Sequence, residues 1–119
     1  MLNLDTHMIV HLLNGDLTVQ EVAMLEGEEI AFSDIALWEL AKLVQLGRLT
    51  LDLNEPEFRR FMSVAVVIPL TLEIATRSTQ LDFSSDPADE IIAATSLVYS
   101  IPLMTRDRRI RKSKIVPFA

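Results

Sequence analysis

Apolar residues recur along this chain in short blocks that alternate between two periodicities. The runs at residues 2–5, 29–32, 65–68 and 101–105 are brief and rich in Leu, Ile, Val and Phe, the signature of strands buried on both faces. Between them lie segments whose apolar positions repeat every three to four residues, as in Ile91, Ile92, Ala94, Thr95, Val98 and Tyr99. Helix punctuation fits that alternation. Asn14-Gly15 ends a first helix begun at Thr6, and Thr18-Val-Gln-Glu21 has the spacing of a capping box for a second. Ser33 is placed to cap a third helix that Gly47 closes. Asn54-Glu-Pro-Glu57 reads as another capping box, Thr71 to Leu81 as a helix, Asp86-Pro87 as the start of a long helix, and Asp107 to Lys112 as a short one. Ile115-Val116 reads as a last edge strand. Strands alternating with helices predict an α/β fold, a three-layer α/β/α arrangement on a central, mainly parallel sheet of four to five strands.

Composition narrows the class. The 119 residues fit a single domain spanning 1–119, 50% of them apolar and 24% charged, so a compact fold is expected rather than disorder. Without cysteine there are no disulfides or thiolate metal sites. No basic segment precedes an apolar core near the start, and no apolar run is long enough to cross a bilayer, so a cytoplasmic protein is expected. The net charge is −6, yet Arg106, Arg108, Arg109, Arg111, Lys112 and Lys114 face only one acid, Asp107. The rest of the chain holds 16 acids and 5 bases, so the C-terminal segment is a basic island on an acidic body. Such an island can receive a phosphate backbone, with a solvated helix or an acidic protein partner as the other readings.

Four acids stand where this topology brings chain segments together. Asp5 follows the first strand, Glu39 interrupts an apolar helical face, Asp89 falls in the first turn of the long helix, and Asp107 follows the 101–105 strand. If the first and fourth strands are parallel neighbours, Asp5 and Asp107 meet at the edge where α/β proteins place their sites. Carboxylates gathered in this way repel by roughly 3 kcal/mol per pair at about 5 Å and an effective dielectric near 20. A hard divalent cation offsets that repulsion, which points to metal-dependent phosphate chemistry. Each acid also has a plain structural explanation. Asp5 and Asp107 suit helix N-caps, Asp89 suits a capping box with Asp86, and Glu39 can pair with Lys42. Trp38 reads as a core anchor. His7 and His11 lie one helical turn apart without a third ligand, and no phosphate-binding glycine loop or nucleophile elbow is present. A phosphorylated receiver or aspartyl-phosphate hydrolase needs a second acid near the first strand, where this chain has Thr6 and His7.

The same blocks resemble the PIN-domain nucleases, particularly the VapC-type toxins of bacterial toxin–antitoxin pairs. Leu4-Asp5-Thr6-His7 is similar to their first-strand motif, Ser33-Asp-Ile-Ala-Leu-Trp-Glu39-Leu to "S-x-x-x-L-W-E-I", and Leu46-Gly47-Arg48-Leu49 to "L-G-K-L". Asp86-Pro87-Ala88-Asp89 with Ile91-Ile92-Ala93 is similar to "D-P-F-D-R-L-L-I-A", and Leu103-Met104-Thr105-Arg106-Asp107 to "L-L-T-R-D". Two positions depart from that pattern: Glu90 stands where an Arg is usual, and Ser85 where a His is frequent. The resemblance implies an endoribonuclease that depends on Mg²⁺ or Mn²⁺ held by Asp5, Glu39, Asp89 and Asp107. It implies Asp5 and Asp89 as direct ligands, with Glu39 and Asp107 acting directly or through water. An activated water then attacks an RNA phosphorus in line with the leaving 3′ oxygen. Thr105 is expected to orient a water, and Arg106, Arg108 and Arg109 to hold phosphates beside the cut. The resemblance further implies a small antitoxin partner and a homodimer, for which the apolar first helices offer a surface. A non-catalytic PIN-like module that only binds a partner is the competing reading.

Overall fold

A computed structural model describes all 119 residues. The strands are β1 (Leu2–Leu4), β2 (Ile30–Ser33), β3 (Val66–Ile68) and β4 (Leu103–Met104). The helices are α1 (Thr6–Asn14), α2 (Val19–Leu25), α3 (Ile35–Gln45), α4 (Pro56–Val64), α5 (Leu72–Ser78), α6 (Pro87–Tyr99) and α7 (Arg108–Arg111). The sheet runs in the order β3-β2-β1-β4 and every pairing is parallel. Asn3 stands opposite Leu103 and Leu4 opposite Met104, so β1 and β4 end side by side.

Alternation along each strand divides the core into two layers. Leu2, Leu4, Phe32 and Met104 point to one face and pack with Met8 and Ile9 of α1, Ala36 and Leu40 of α3, and Phe58 and Phe61 of α4. Phe32 and Phe61 stack at 5.6 Å between ring centroids. Ala31, Ile68 and Leu103 belong to the other face, covered by Ile74 of α5 and by Ile92, Ala93 and Ala94 of α6. Asn3 also points that way, and its amide donates to the Ile92 carbonyl (3.1 Å) and to Ser96 Oγ (2.9 Å). That bond pair ties the strand leading to Asp5 to the helix carrying Asp89.

Local signals hold at several ends. Gly15 adopts the left-handed conformation (φ 71°) that stops α1, and the Thr18–Glu21 capping box closes with both its bonds (3.1 and 2.9 Å). Others differ. The backbone at Ser33 completes β2, so α3 starts at Ile35 after Asp34, whose side chain instead accepts from the Leu70 N–H. Neither Glu55 before α4 nor Asp86 before α6 makes a side-chain cap, and Pro56 and Pro87 begin those helices with φ already fixed. α5 stops at Ser78, short of Leu81. The expected fifth strand at Ile115-Val116 does not form; the chain reaches the sheet only at Phe118, in a single parallel bridge with Leu103. Trp38 is 56% exposed, because the buried positions of α3 are Ala36 and Leu40, and a residue midway between them turns to the opposite side.

Candidate active site

The carboxyl ends of β1 and β4 deliver Asp5, Thr6, Thr105 and Asp107 to one edge of the sheet, and α3 and α6 bring Glu39 and Asp89 toward it. Asp5 is 4% exposed. One of its oxygens caps α1 through the Met8 N–H (2.8 Å), and the other accepts the Thr105 hydroxyl. Thr105 Oγ1 in turn accepts the Asp107 N–H (3.0 Å), so a single hydroxyl joins the acids of the two neighbouring strands. Asp107 caps α7 with one oxygen, at 2.8 Å from the Arg109 N–H and 3.0 Å from the Ile110 N–H. The cap role read from sequence is therefore real for Asp5 and Asp107, and it leaves the second oxygen of Asp107 without a protein donor.

The structural explanations fail for the other two acids. Lys42 hydrogen-bonds Gln45 (2.9 Å) and leaves Glu39, whose carboxylate accepts the Thr6 hydroxyl. Asp89 forms no capping box with Asp86; Ser85 Oγ donates to it at 2.8 Å. Three hydroxyls, from Thr6, Ser85 and Thr105, thus each fix one acid. Only the motif neighbourhood of Thr6 and the four-residue offset of Ser85 hint at this in the sequence.

Electrostatics bind the acids into one group. Burial raises the carboxyl pKa of Asp5, Glu39 and Asp89 above the ordinary range, against the lowering effect of the hydroxyl on each. Their mutual repulsion adds to the rise: Asp107 acts on Asp5, Asp89 and Asp5 on Glu39, and Asp107 and Asp5 on Asp89. His7 favours the charged forms of Asp5 and Glu39. No lysine or arginine forms an ion pair with any of the four. The donors are hard carboxylate oxygens with uncompensated charge, which suits Mg²⁺ or Mn²⁺. As the side chains stand, no three His, Asp or Glu groups lie close enough to hold a single ion. Asp5 and Asp107 share a hollow of about 260 Å³ with His7, His11 and Arg106, and Glu39 and Asp89 lie outside its walls.

The basic residues divide in two. Arg106 grips Glu21 of α2 with two bonds (2.8 and 2.6 Å), donates to the Asp16 carbonyl (3.1 Å) and lies 3.2 Å from His11 Nε2. That grip lowers the Glu21 carboxyl to about 2. Arg111 donates to the Thr105 carbonyl (3.2 Å) and lies over the Phe118 ring at 5.0 Å. Arg108 and Arg109 are exposed, and their side chains make no bond within the chain.

This order of acids on a parallel sheet matches a known family: the model of the PIN domain fits residues 3–115. The chain belongs to the PIN-domain family. Among curated proteins, Ribonuclease VapC22 of Mycobacterium tuberculosis is 30% identical over 95 residues, 77% of this chain and 73% of that protein. The VapC-type resemblance drawn from the motifs is thereby met. The fold agrees with the crystal structure of VapBC2 from Rickettsia felis bound to a DNA fragment from their promoter, at TM-score 0.77 and 19% identity, covering 100% of this chain and 98% of that one. A toxin–antitoxin complex from Klebsiella pneumoniae matches at TM-score 0.74 and 21% identity, over 100% and 97% of the two chains. No helix is long and apolar enough to cross a membrane.

Proposed function

We propose that this PIN domain is a divalent-metal-dependent endoribonuclease and the toxin of a VapC-type toxin–antitoxin pair. The observation that carries the reading is the uncompensated acid group. Four carboxylates repel one another at the C-terminal edge of a parallel sheet, no basic side chain neutralises them, and the chain aligns with a ribonuclease over most of its length. The two toxin–antitoxin neighbours support a small protein partner.

Asp5, Glu39, Asp89 and Asp107 are the residues to hold Mg²⁺ or Mn²⁺. When bound, the cation supplies an activated water and neutralises charge on the scissile phosphate. The chain itself contributes the positioning. Thr105 holds Asp5 and Asp107 in register, Thr6 holds Glu39, and Ser85 holds Asp89, which limits the rotation of their carboxylates. Arg108 and Arg109 have their guanidinium groups free for RNA phosphates. Arg106, which the motif placed among the phosphate contacts, is instead committed to Glu21 and shapes the wall of the hollow.

The deciding experiment is cleavage of a mixed-sequence RNA with Mg²⁺, with Mn²⁺ and with chelator, for the wild type and Asp5→Asn. Cleavage that needs the cation and disappears in the variant is the expected result. Cleavage that survives chelation or the substitution defeats the proposal. Metal binding without any cleavage favours the partner-binding module.

A further inference from the structure

Arg106 divides two hollows. On one side it walls the space shared by Asp5 and Asp107, and on the other a second hollow of about 350 Å³. Gln20 and Met24 of α2, Met104 and Thr105 at the end of β4, and Arg111 of α7 form the rest of its lining that matters here. That volume lies at the small end of ligand sites and suits a single flat ring system. A larger hollow of about 560 Å³, between α5 and α6, shares no wall with the acids.

The lining selects a nucleobase. Met24, 43% exposed, and the buried Met104 offer thioether surfaces, which pack favourably against aromatic rings. Arg111 is held at two points, by its bond to the Thr105 carbonyl (3.2 Å) and by the Phe118 ring beneath its guanidinium, and it has no ion pair. Most of its donors are therefore free, in a planar fork whose orientation is already set. Gln20 makes no side-chain bond within the chain and brings both a donor and an acceptor. The acidic side chain in the wall, Glu21, is paired with Arg106 (2.6 Å). A fork of two donors matches the O6 and N7 acceptors of guanine. Adenine sets a donor beside its N7, cytosine offers a donor on the same edge, and uracil a single acceptor.

We propose that this hollow receives an unpaired guanine of the RNA, beside the phosphate at the acids. The inference rests on the RNA-cleaving reading and adds the base that sets where the strand is cut. Thr105 couples the two spaces, since its hydroxyl joins Asp5 to Asp107 and its carbonyl anchors Arg111. A base seated against Arg111 thus fixes the register of the strand over the acids.

Fluorescence anisotropy tests the base alone, with uridine hexanucleotides carrying one central G, A, C or U, in chelator so that no strand is cut. The G strand binds at least about fivefold more tightly than the other three. Arg111→Lys keeps the charge but loses the fork, and brings the G strand to within about twofold of the others. Gln20→Ala, at an exposed helical position that does not support the fold, weakens the G strand by about 3- to 10-fold. Arg109→Ala lowers all four alike. Guanosine monophosphate binds at least about tenfold more weakly than the G strand, because it lacks the neighbouring phosphates. Equal affinity for the four strands overturns the proposal, as does a preference that neither Arg111→Lys nor Gln20→Ala reduces. A free nucleotide that binds as tightly as the strand overturns it too. The same strands in Mg²⁺ keep the two readings apart. Guanine preference without cleavage defeats the nuclease and leaves the hollow, whereas cleavage without preference defeats the hollow and leaves the nuclease.

Discussion

Asp5→Asn removes one negative charge from the acid group and turns one of its two acceptor oxygens into a donor. Asn caps helices as well as Asp does, and its amide oxygen still accepts from the Met8 N–H or the Thr105 hydroxyl. With that oxygen on the Met8 N–H the cap is conserved, and the amide NH2 donates to Thr105 Oγ1 where the carboxylate accepted from it, so the lost charge is the main difference. In the folded protein, burial and the Asp107 carboxylate raise the Asp5 pKa by more than its hydrogen bonds lower it. Each unit of such a rise is about 1.4 kcal/mol of destabilisation once the group is ionised. Asp5→Asn is thus expected to stabilise the metal-free protein at pH 7, by about 5 °C in Tm for every 1.4 kcal/mol of that penalty it relieves. The sign with pH follows from linkage. A carboxyl whose folded pKa is raised costs nothing below its unfolded value near 4, and its penalty grows as pH climbs through the folded value. The advantage of the variant should accordingly be full at neutral pH and fade on acidification. Mg²⁺ narrows the gap: at ten times its Kd it stabilises the wild type by about 1.4 kcal/mol, a gain that the variant loses. Thermal unfolding in chelator and in Mg²⁺, at pH 7 and near pH 4, reads all of this. A variant less stable than the wild type in chelator at pH 7, or an advantage that persists in acid, refutes the reasoning.

Other outcomes follow from the same geometry. Thr6→Val keeps the shape of the side chain but frees Glu39 to rotate, so calorimetry should show metal affinity reduced by about 3- to 10-fold, while unchanged affinity would remove Thr6 from the site. Arg108→Ala and Arg109→Ala should each lower RNA affinity uniformly across sequences and reduce the slope of log K against log salt by about 1; an unchanged slope would place the RNA elsewhere. Asn3→Ala deletes two buried hydrogen bonds between β1 and α6, and denaturant titration should find it about 2–3 kcal/mol less stable; a loss below about 0.5 kcal/mol would show that the amide does not join them.

The features legible in the sequence are those fixed by neighbouring residues. Gly15, the Thr18–Glu21 box and the Asp5 cap involve partners within five positions, and short-range spacing is enough to read them. The parallel order of strands was accessible because alternating helices leave a parallel sheet as the consistent topology. The misreadings arose where distant segments decide. Thr105 lies 100 residues from Asp5 and Thr6 lies 33 from Glu39, so neither hydroxyl contact has a local signal. Ser33 has the chemistry of a cap, but pairing with β3 keeps it in the sheet. Asp82 accepts from Ser113 (2.6 Å) and from the Lys114 N–H (2.7 Å), which turns the chain before it can add a strand at Ile115-Val116. Trp38 depended on which side of α3 faces the sheet, and an apolar run cannot specify that.

α2 contains no buried residue, and the Arg106–Glu21 clasp is its main polar tie to the sheet. Beyond the packing of Leu25 against the core, its attachment rests on this half-exposed electrostatic contact, which mobile ions attenuate. When the domain begins to open, this hinged flap is the part that lifts away first, and its amide protons should be traded with solvent while those of α6 are still guarded. Because Arg106 also walls the hollow beside Asp5, the release of that flap would enlarge the doorway to the acids without disturbing the strands that carry them.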